Sequence, residues 1–262
     1  MLRLALHLSV ALLLTILTQL GGVAYLIAIL IARSSFARIM AFLCLFVWAG
    51  IGASFIAPSL GRVPLACNAS ADPLLHARSR LYCVMNRHYV SVDLLTYATQ
   101  LAATVNAVHP GTSTLTLDAG FPFLDGMPLL PHLSHDDGQK LDIAFYYTDA
   151  SGVYQPGLTP SPIGYWGFED PAPDAPDPCG DTTGLSLRWD MGWLQGLMRD
   201  LPLDEARTRT ALRWISENPP TGGKVFVEPH LAERLGISAL HIRFQGCRAA
   251  RHDDHLHIEI AP

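Results

Sequence analysis

The sequence predicts an α+β fold, a mostly antiparallel sheet flanked by helices, preceded by an N-terminal transmembrane helical hairpin. Two observations predict it. Two long apolar runs open the chain, and the helix-like and strand-like segments that follow do not alternate strictly, which favours α+β over α/β. After the membrane region and a linker, about 180 residues remain for a globular domain, enough for one independent core.

The apolar runs extend from Leu4 to Ala32 and from Ile39 to Ile56, and contain no Asp, Glu, Lys or Arg. Each reaches the roughly 18 to 20 residues that a helix needs to cross a bilayer. The first run is far longer than the apolar core of a signal peptide and no Ala-x-Ala step closes it, so we expect a retained anchor rather than a cleaved signal. Arg33 and Arg38 lie in the connection. The positive-inside rule therefore places this connection in the cytoplasm and both chain ends outside.

The expected organisation is two membrane helices with a short cytoplasmic loop in residues 1–58, a linker in residues 59–80, and one globular domain in residues 81–262. The linker contains Gly61, Pro64 and Pro73, residue types that interrupt regular structure.

The cysteines agree with an extracytoplasmic domain. Cys44 lies in the second apolar run, and the other four form an even set in a compartment where disulfides persist. We expect two bridges, Cys67 with Cys83 and Cys179 with Cys247, with free buried thiols as the alternative. The net charge of −5 and the absence of any Lys/Arg-rich run argue against nucleic acid as a partner.

Periodicity predicts the elements of the domain. Helical spacing indicates helices at Val92–Val108, Leu187–Met198 and Leu203–Glu217. Alternation and composition indicate strands at Thr112–Leu117, Ile143–Tyr147, Val225–Val227 and Ile237–Phe244, and a last strand at the C-terminus. Residues Thr159 to Gly184 are rich in Pro, Asp and Gly, typical of a long surface loop that could wall a cleft.

Two histidine clusters stand out. The tail from Arg251 to Ile260 contains His252, His255 and His257, and a His-x-His step on an extended strand points both imidazoles to one face. The upstream cluster extends from His132 to Asp142 and runs into strand-like sequence.

Together the clusters predict a metal site. Catalytic zinc takes three protein ligands and keeps one position for water. His135, Asp142 and one tail histidine would supply that set, with Gly138 allowing a sharp turn and Asp142 opening its strand. The other tail histidines would lie near the water, where a group that titrates near neutrality can transfer protons. Two histidines and a carboxylate also bind iron in Fe(II) oxygenases, so the donor set by itself leaves that class as an alternative.

The pattern Ser134-His135-x-x-Gly138-x-x-x-Asp142, followed far downstream by His255-x-His257, resembles the zinc metallopeptidases of the lysostaphin and D-Ala-D-Ala peptidase group. It looks most like their penicillin-insensitive murein endopeptidase branch, which has a further histidine three residues before each motif, as His132 and His252 stand here. The resemblance covers roughly Leu81 to the C-terminus.

This resemblance implies that His135, Asp142 and His257 bind zinc and that His255 is the general base. His252 and His132 would line the site, either stabilising an oxyanion or orienting their neighbours.

The implied substrate is a peptide crosslink of peptidoglycan, a D-alanyl bond to meso-diaminopimelate, cleaved by a domain in the periplasm that is anchored in the bacterial inner membrane. A D,D-carboxypeptidase or dipeptidase of the same group is the nearer alternative, although its Glu-x-x-His pattern is missing at Asp254-His255. A non-catalytic, zinc-containing domain that binds the cell wall is the other.

Overall fold

The computed structural model describes residues 1–172, 175, 178–180, 186–189 and 191–261. The helices are α1 (Leu2–Thr18), α2 (Gly21–Ile31), α3 (Ser35–Ile56), α4 (Arg80–Val84), α5 (Val92–Val108), α6 (Gly192–Gln195), α7 (Glu205–Glu217) and α8 (Pro229–Arg234). The strands are β1 (Arg62–Pro64), β2 (Leu75–Ala77), β3 (Tyr89–Ser91), β4 (Thr114–Thr116), β5 (Lys140–Ala144), β6 (Lys224–Phe226), β7 (Ile242–Arg243) and β8 (His255–Glu259). N-terminal helices followed by a mixed sheet with helices confirm the α+β class.

The chain forms two compact units. One comprises Met1–Leu65, Leu81–Leu95 and Asp118–Lys140, and the other comprises Ala66–Arg80, Thr96–Leu117 and Leu141–Pro262. The first unit contains α1 to α3 and the two-stranded sheet β1-β3. The second contains the larger sheet, apart from the first residue of β5.

The first apolar run is not one helix. It breaks after Thr18, where Gln19 adopts a left-handed φ of 64° and α2 begins at Gly21. The side chain of Thr18 accepts a hydrogen bond from the Gly21 N–H at 2.9 Å, which compensates one of the donors left unpaired where α2 begins. A hairpin of two membrane-spanning helices is therefore not what the structure shows.

Among the described residues, one helical stretch is long and apolar enough to cross a membrane. It extends from Ser35 to Leu60, with a mean hydropathy of 2.3 and only 6% of its apolar window buried. Its start is defined by Ser34, whose side chain accepts a hydrogen bond from the Ala37 N–H.

The helices α1 and α2 pack antiparallel. A Cβ atom on Gly22 would come within 1.9 Å of the Thr15 hydroxyl, so the start of α2 lies directly against the end of α1. Further along α2, the Tyr25 hydroxyl lies 2.7 Å from Nδ1 of His7. Gly22 contacts Thr15 and the later residue Tyr25 contacts the earlier residue His7, so the two helices run in opposite directions.

The same reasoning applies to α2 and α3. Leu20 packs against Ala53 and Ala57 at the end of α3, whereas the ring of Tyr25 meets Phe42 nearer its start, with centroids 6.3 Å apart. The three helices therefore alternate in direction. The amino terminus consequently lies at the same end as the α2–α3 connection, whereas an unbroken first helix would separate the two.

The larger sheet has six strands in the order β2-β4-β5-β8-β6-β7 and is mixed rather than mostly antiparallel. Strand β2 is parallel to β4, and β6 is parallel to β7, while β4·β5 and β6·β8 are antiparallel. Parallel neighbours require a crossover connection, usually helical. The connections containing α5 and α8 supply these two crossovers.

Most predicted elements are present, with shorter bounds. Helix α5 has the predicted limits, and α7 starts at Glu205 because Asp204 is its N-cap, accepting from the Arg207 N–H at 3.0 Å. Of the helix predicted at Leu187–Met198, only α6 is helical in the part that the structure describes, and Asp190 lies outside it. Likewise, only Ile242–Arg243 of the predicted strand Ile237–Phe244 pairs.

The cysteines confirm the prediction of two disulfides. Cys179 and Cys247 form one bridge, with their Cα atoms 5.3 Å apart. Cys67 and Cys83 are also disulfide-bonded, and Cys44 is free. Since disulfides persist in oxidising compartments, these bridges and the apolar N-terminal helix indicate extracytoplasmic placement. Within the predicted loop Thr159–Gly184, residues 173, 174, 176, 177 and 181–184 lie outside the described part.

Candidate metal centre

The two histidines of the upstream cluster are held through the same ring nitrogen. Nδ1 of His135 lies 2.8 Å from the carbonyl oxygen of Ala119, and Nδ1 of His132 lies 3.0 Å from a carboxylate oxygen of Asp118. Both acceptors place the imidazole proton on Nδ1, which leaves the lone pair on Nε2. This is the arrangement of histidines that bind a metal through Nε2.

Asp118 belongs to a buried ion pair. Arg87 donates to both of its carboxylate oxygens at 2.7 Å, and the side chains of both residues are almost fully buried. Burial opposes the charge of Asp118, but hydrogen bonds from His132 and Arg87 and the positive charge of Arg87 outweigh it, so its pKa lies below the usual value. Asp118 therefore stays ionised and fixes the tautomer of His132.

Gly138 makes the predicted turn between the two ligand positions. Its φ is 69°, and a Cβ atom there would come within 2.6 Å of the Arg62 side chain. That guanidinium is itself fixed, because Nη1 donates to the carbonyl oxygen of Phe121 at 2.8 Å. No residue with a side chain fits this position without displacing Arg62.

Asp142 is the third residue of β5, not its first as the sequence suggested, and is fully buried. One carboxylate oxygen lies 2.8 Å from Nδ1 of His257. The other accepts a hydrogen bond from the Tyr165 hydroxyl at 2.6 Å and lies 3.7 Å from Nε2 of His255. The terminal His-x-His motif thus meets the predicted carboxylate ligand.

The tail histidines are all buried, with exposed fractions of 3 to 4%. His255 and His257 point to one face of β8, as predicted, and His257 stands opposite Phe226 in the antiparallel pairing with β6. The ring of His252 lies 5.0 Å from that of His255 and 5.6 Å from that of His257, between centroids. The structure therefore brings the three predicted tail histidines together.

Acidic neighbours surround His255. Asp254 is hydrogen-bonded to its Nδ1. Burial opposes protonation, but the charges of Asp254, Asp142 and Asp253 outweigh it and raise the pKa of His255 to about 9. Because Nδ1 is occupied by Asp254, Nε2 is the nitrogen directed towards Asp142.

Glu228 fixes the backbone of His252. Its carboxylate accepts from the His252 N–H at 3.2 Å, and its own N–H donates to the His252 carbonyl oxygen at 3.1 Å. Arg188 in turn donates two hydrogen bonds of 2.9 Å to the Glu228 carboxylate. These two hydrogen bonds therefore hold the backbone of His252 on both sides of its Cα atom.

The segment 132–142 could hold a metal ion. His132, His135 and Asp142 each offer one ligand atom, and these atoms all lie within 4.8 Å of one another. This group shares His135 and Asp142 with the predicted ligand set and contains His132 in place of His257. Two zinc ligands about 2.0 Å from the ion in tetrahedral geometry stand about 3.3 Å apart. Nδ1 of His257 and the Asp142 carboxylate are 2.8 Å apart, a hydrogen-bond distance, so the two atoms would have to separate slightly to share an ion.

Sequence reasoning missed the residues that orient these groups. No role was predicted for Arg87, Asp118, Tyr165 or Glu228. None of them stands at a spacing that marks it as functional. What identifies them in the structure is burial of a charged side chain, since Arg and Glu are rarely buried without a partner.

The chain matches no protein-family model, and a search among curated proteins gives no significant match. The chemistry of the site therefore rests on its own geometry and on the motifs of the sequence.

Proposed function

We propose that this protein is a membrane-anchored, extracytoplasmic zinc endopeptidase that cleaves peptide crosslinks of peptidoglycan. The observation that carries the proposal is the convergence on Asp142. Within one short segment, His132, His135 and Asp142 offer ligand atoms within 4.8 Å of one another, and His257 approaches the same carboxylate at 2.8 Å. The motif pattern of the sequence supplies the reaction class.

His135, Asp142 and His257 would hold the ion. Two imidazoles and a carboxylate are a typical donor set for catalytic zinc, and the hydrogen bond from His135 to Ala119 leaves Nε2 as its donor atom. Bound zinc supplies a Lewis acid that polarises an amide carbonyl and lowers the pKa of water towards about 7. Tyr165 orients the ligand carboxylate through its hydrogen bond to Asp142.

His255 would transfer the proton. Asp254 occupies Nδ1, so the proton is taken up and released at Nε2, which faces Asp142 at 3.7 Å. The Tyr165 ring meets the His255 ring edge-on with centroids 5.0 Å apart, which restricts the imidazole to one orientation. His252, held by Glu228, would stabilise the negative charge that develops on the carbonyl oxygen.

The apolar stretch Ser35–Leu60 would be the anchor in a bacterial inner membrane, with Arg33 and Arg38 on the cytoplasmic side and the metal centre in the periplasm. The substrate bond would be the one from D-alanine to meso-diaminopimelate in the crosslink between two peptide stems.

The test is incubation of the full-length protein, in detergent with zinc, with purified crosslinked peptidoglycan and mass analysis of the muropeptides. Crosslinked dimers should become monomers. His257→Ala should abolish the conversion. The matched control is His241→Ala, because Nε2 of His241 is hydrogen-bonded to the Ile215 carbonyl oxygen at 2.8 Å and, among the described residues, no proposed ligand is a hydrogen-bond partner of its ring.

Two results would overturn the proposal. Removal of only a terminal D-alanine would assign a carboxypeptidase, and an unchanged muropeptide profile from a zinc-loaded protein would assign a binding domain.

A further inference from the structure

The turn between α1 and α2 is polar and buried, although it joins two apolar helices. Thr18 and Gln19 are only 7% and 6% exposed. Polar side chains next to membrane helices are costly unless they are paired, and they commonly serve a function. Gln19 is also one of the few non-glycine residues with a positive φ, a conformation that costs about 1 kcal/mol or more.

The side chain of Gln19 binds the loop that leads to the histidines. Its Oε1 accepts a hydrogen bond from the Phe123 N–H at 2.9 Å, and its Nε2 donates to the Met127 sulfur at 3.5 Å. Leu20 and Phe123 pack against the same small cluster, which includes Tyr89. The turn therefore fixes the backbone of the loop 118–127 both by packing and by a directed hydrogen bond.

A second connection reaches the same histidines. The side-chain amide of Asn86 donates to the Thr18 carbonyl oxygen at 3.3 Å. The next residue, Arg87, pairs with Asp118 through its side chain, and its carbonyl oxygen accepts from the Ala119 N–H at 3.1 Å.

Asp118 and Ala119 are the two residues that hold Nδ1 of His132 and His135. Hydrogen bonds, together with the peptide bond between Asn86 and Arg87, thus join the α1–α2 turn to both imidazoles. All of these residues belong to the first compact unit.

We propose that Gln19 is a positioning residue for the metal centre, and that the turn between α1 and α2 sets the orientation of the proposed ligand His135 and of its neighbour His132. The α1–α2 turn then supports the site and does not only connect two helices. This inference rests on the proposed function only in requiring that the centre binds zinc.

The test compares zinc affinity of the full-length protein and three variants in lipid nanodiscs, by competition with a chromophoric chelator. Gln19→Leu keeps the side-chain volume but loses the acceptor for the Phe123 N–H, and should weaken zinc binding on the order of tenfold, as loss of an outer partner of a ligand does. Gln19→Glu keeps the acceptor oxygen and should retain wild-type affinity. Ser54→Ala is the control, because the partner of that hydroxyl among the described residues is the Ile51 carbonyl oxygen within α3.

Hydrogen exchange of the Phe123 amide provides a second readout that needs no metal. It should accelerate in Gln19→Leu and not in Gln19→Glu. Equal zinc affinity of wild type and Gln19→Leu would overturn the inference, as would equal loss in both Gln19 variants. A wild-type protein that binds no zinc would instead overturn the proposed function.

Discussion

Asp142 is the residue at which distant parts of the sequence meet. Its two carboxylate oxygens contact His257, Tyr165 and His255, which lie 23 to 115 residues away in the chain. Because it is fully buried, its charge must be balanced by these neighbours or by a cation. His257 approaches the Asp142 carboxylate through Nδ1 at 2.8 Å, whereas His255 approaches it through Nε2 at 3.7 Å. Substitution of each histidine tests whether the two have different roles.

We expect His255→Ala to keep zinc while losing crosslink cleavage by about 10² to 10⁴-fold, the usual contribution of a general acid-base group. His257→Ala should lose both, because His257 lies closer to Asp142, at 2.8 Å. Zinc content by elemental analysis and the rate of muropeptide conversion check the two variants. A metal-free His255→Ala protein together with a zinc-loaded His257→Ala protein would reverse the two roles.

The histidines and acids that meet in the candidate site could be singled out from the sequence because they recur at short, regular spacing. Their partners could not. Tyr165 and Arg87 reach Asp142 and Asp118 only through the fold, across separations that no local pattern encodes. The position of Asp142 within β5 was also missed, because Lys140 and Leu141 carry no signal that the strand starts before it.

At the scale of elements, the loop 118–140 combines two glycines with similar backbone conformations and different surroundings. Gly126 has a φ of 74° and nothing within 4 Å of a Cβ position. Gly138 has a φ of 69° and meets the Arg62 side chain. Alanine substitutions at Gly126 and Gly138 therefore distinguish the cost of the backbone conformation from the cost of a steric clash.

Gly126→Ala should lower the free energy of unfolding by about 1 kcal/mol, the strain of a left-handed alanine. Gly138→Ala should lower it by roughly 2 to 4 kcal/mol, because the methyl group also displaces Arg62. Denaturant unfolding of the full-length protein measures both. Equal destabilisation would mean that the contact with Arg62 is relieved at no cost.

Elements long enough to show a clear hydrophobic periodicity could be predicted from the sequence. Helix α5 places Leu94, Ala98, Leu101 and Val105 at full burial, as its spacing indicates. Strands β2 and β3 have three residues each, too few for an alternating pattern to appear. The break in the first apolar run could not be predicted from hydropathy, because Gly21 and Gly22 add no charge or polar side chain to the run. The structure shows why glycine stands there: Gly22 lies so close to Thr15 that a residue with a side chain would not fit.

At the scale of the whole molecule, the alternating directions of α1, α2 and α3 define the topology. They place Arg3, near the start of α1, at the same end as Arg33 and Arg38. In a bilayer, all three charges would then lie on one side, as the positive-inside rule expects for the cytoplasmic side.

A fluorescent protein fused before Met1 should therefore remain in the cytoplasm and fluoresce, while alkaline phosphatase fused after Pro262 should be active outside it. Fusion of the phosphatase before Met1 is the control and should be inactive. An active N-terminal phosphatase would restore the simple hairpin with both ends outside.

Strand β8 follows every other strand in sequence, yet it lies between β5 and β6 in the sheet. During synthesis, β8 therefore emerges after the strands on both sides of it. The three strands β2, β4 and β5 cannot form one sheet with β6 and β7 until β8 has emerged. The same strand carries His255 and His257. A nascent chain that has not yet released β8 thus lacks both its finished sheet and two of its tail histidines, so the larger sheet and the histidine group are completed in the same step.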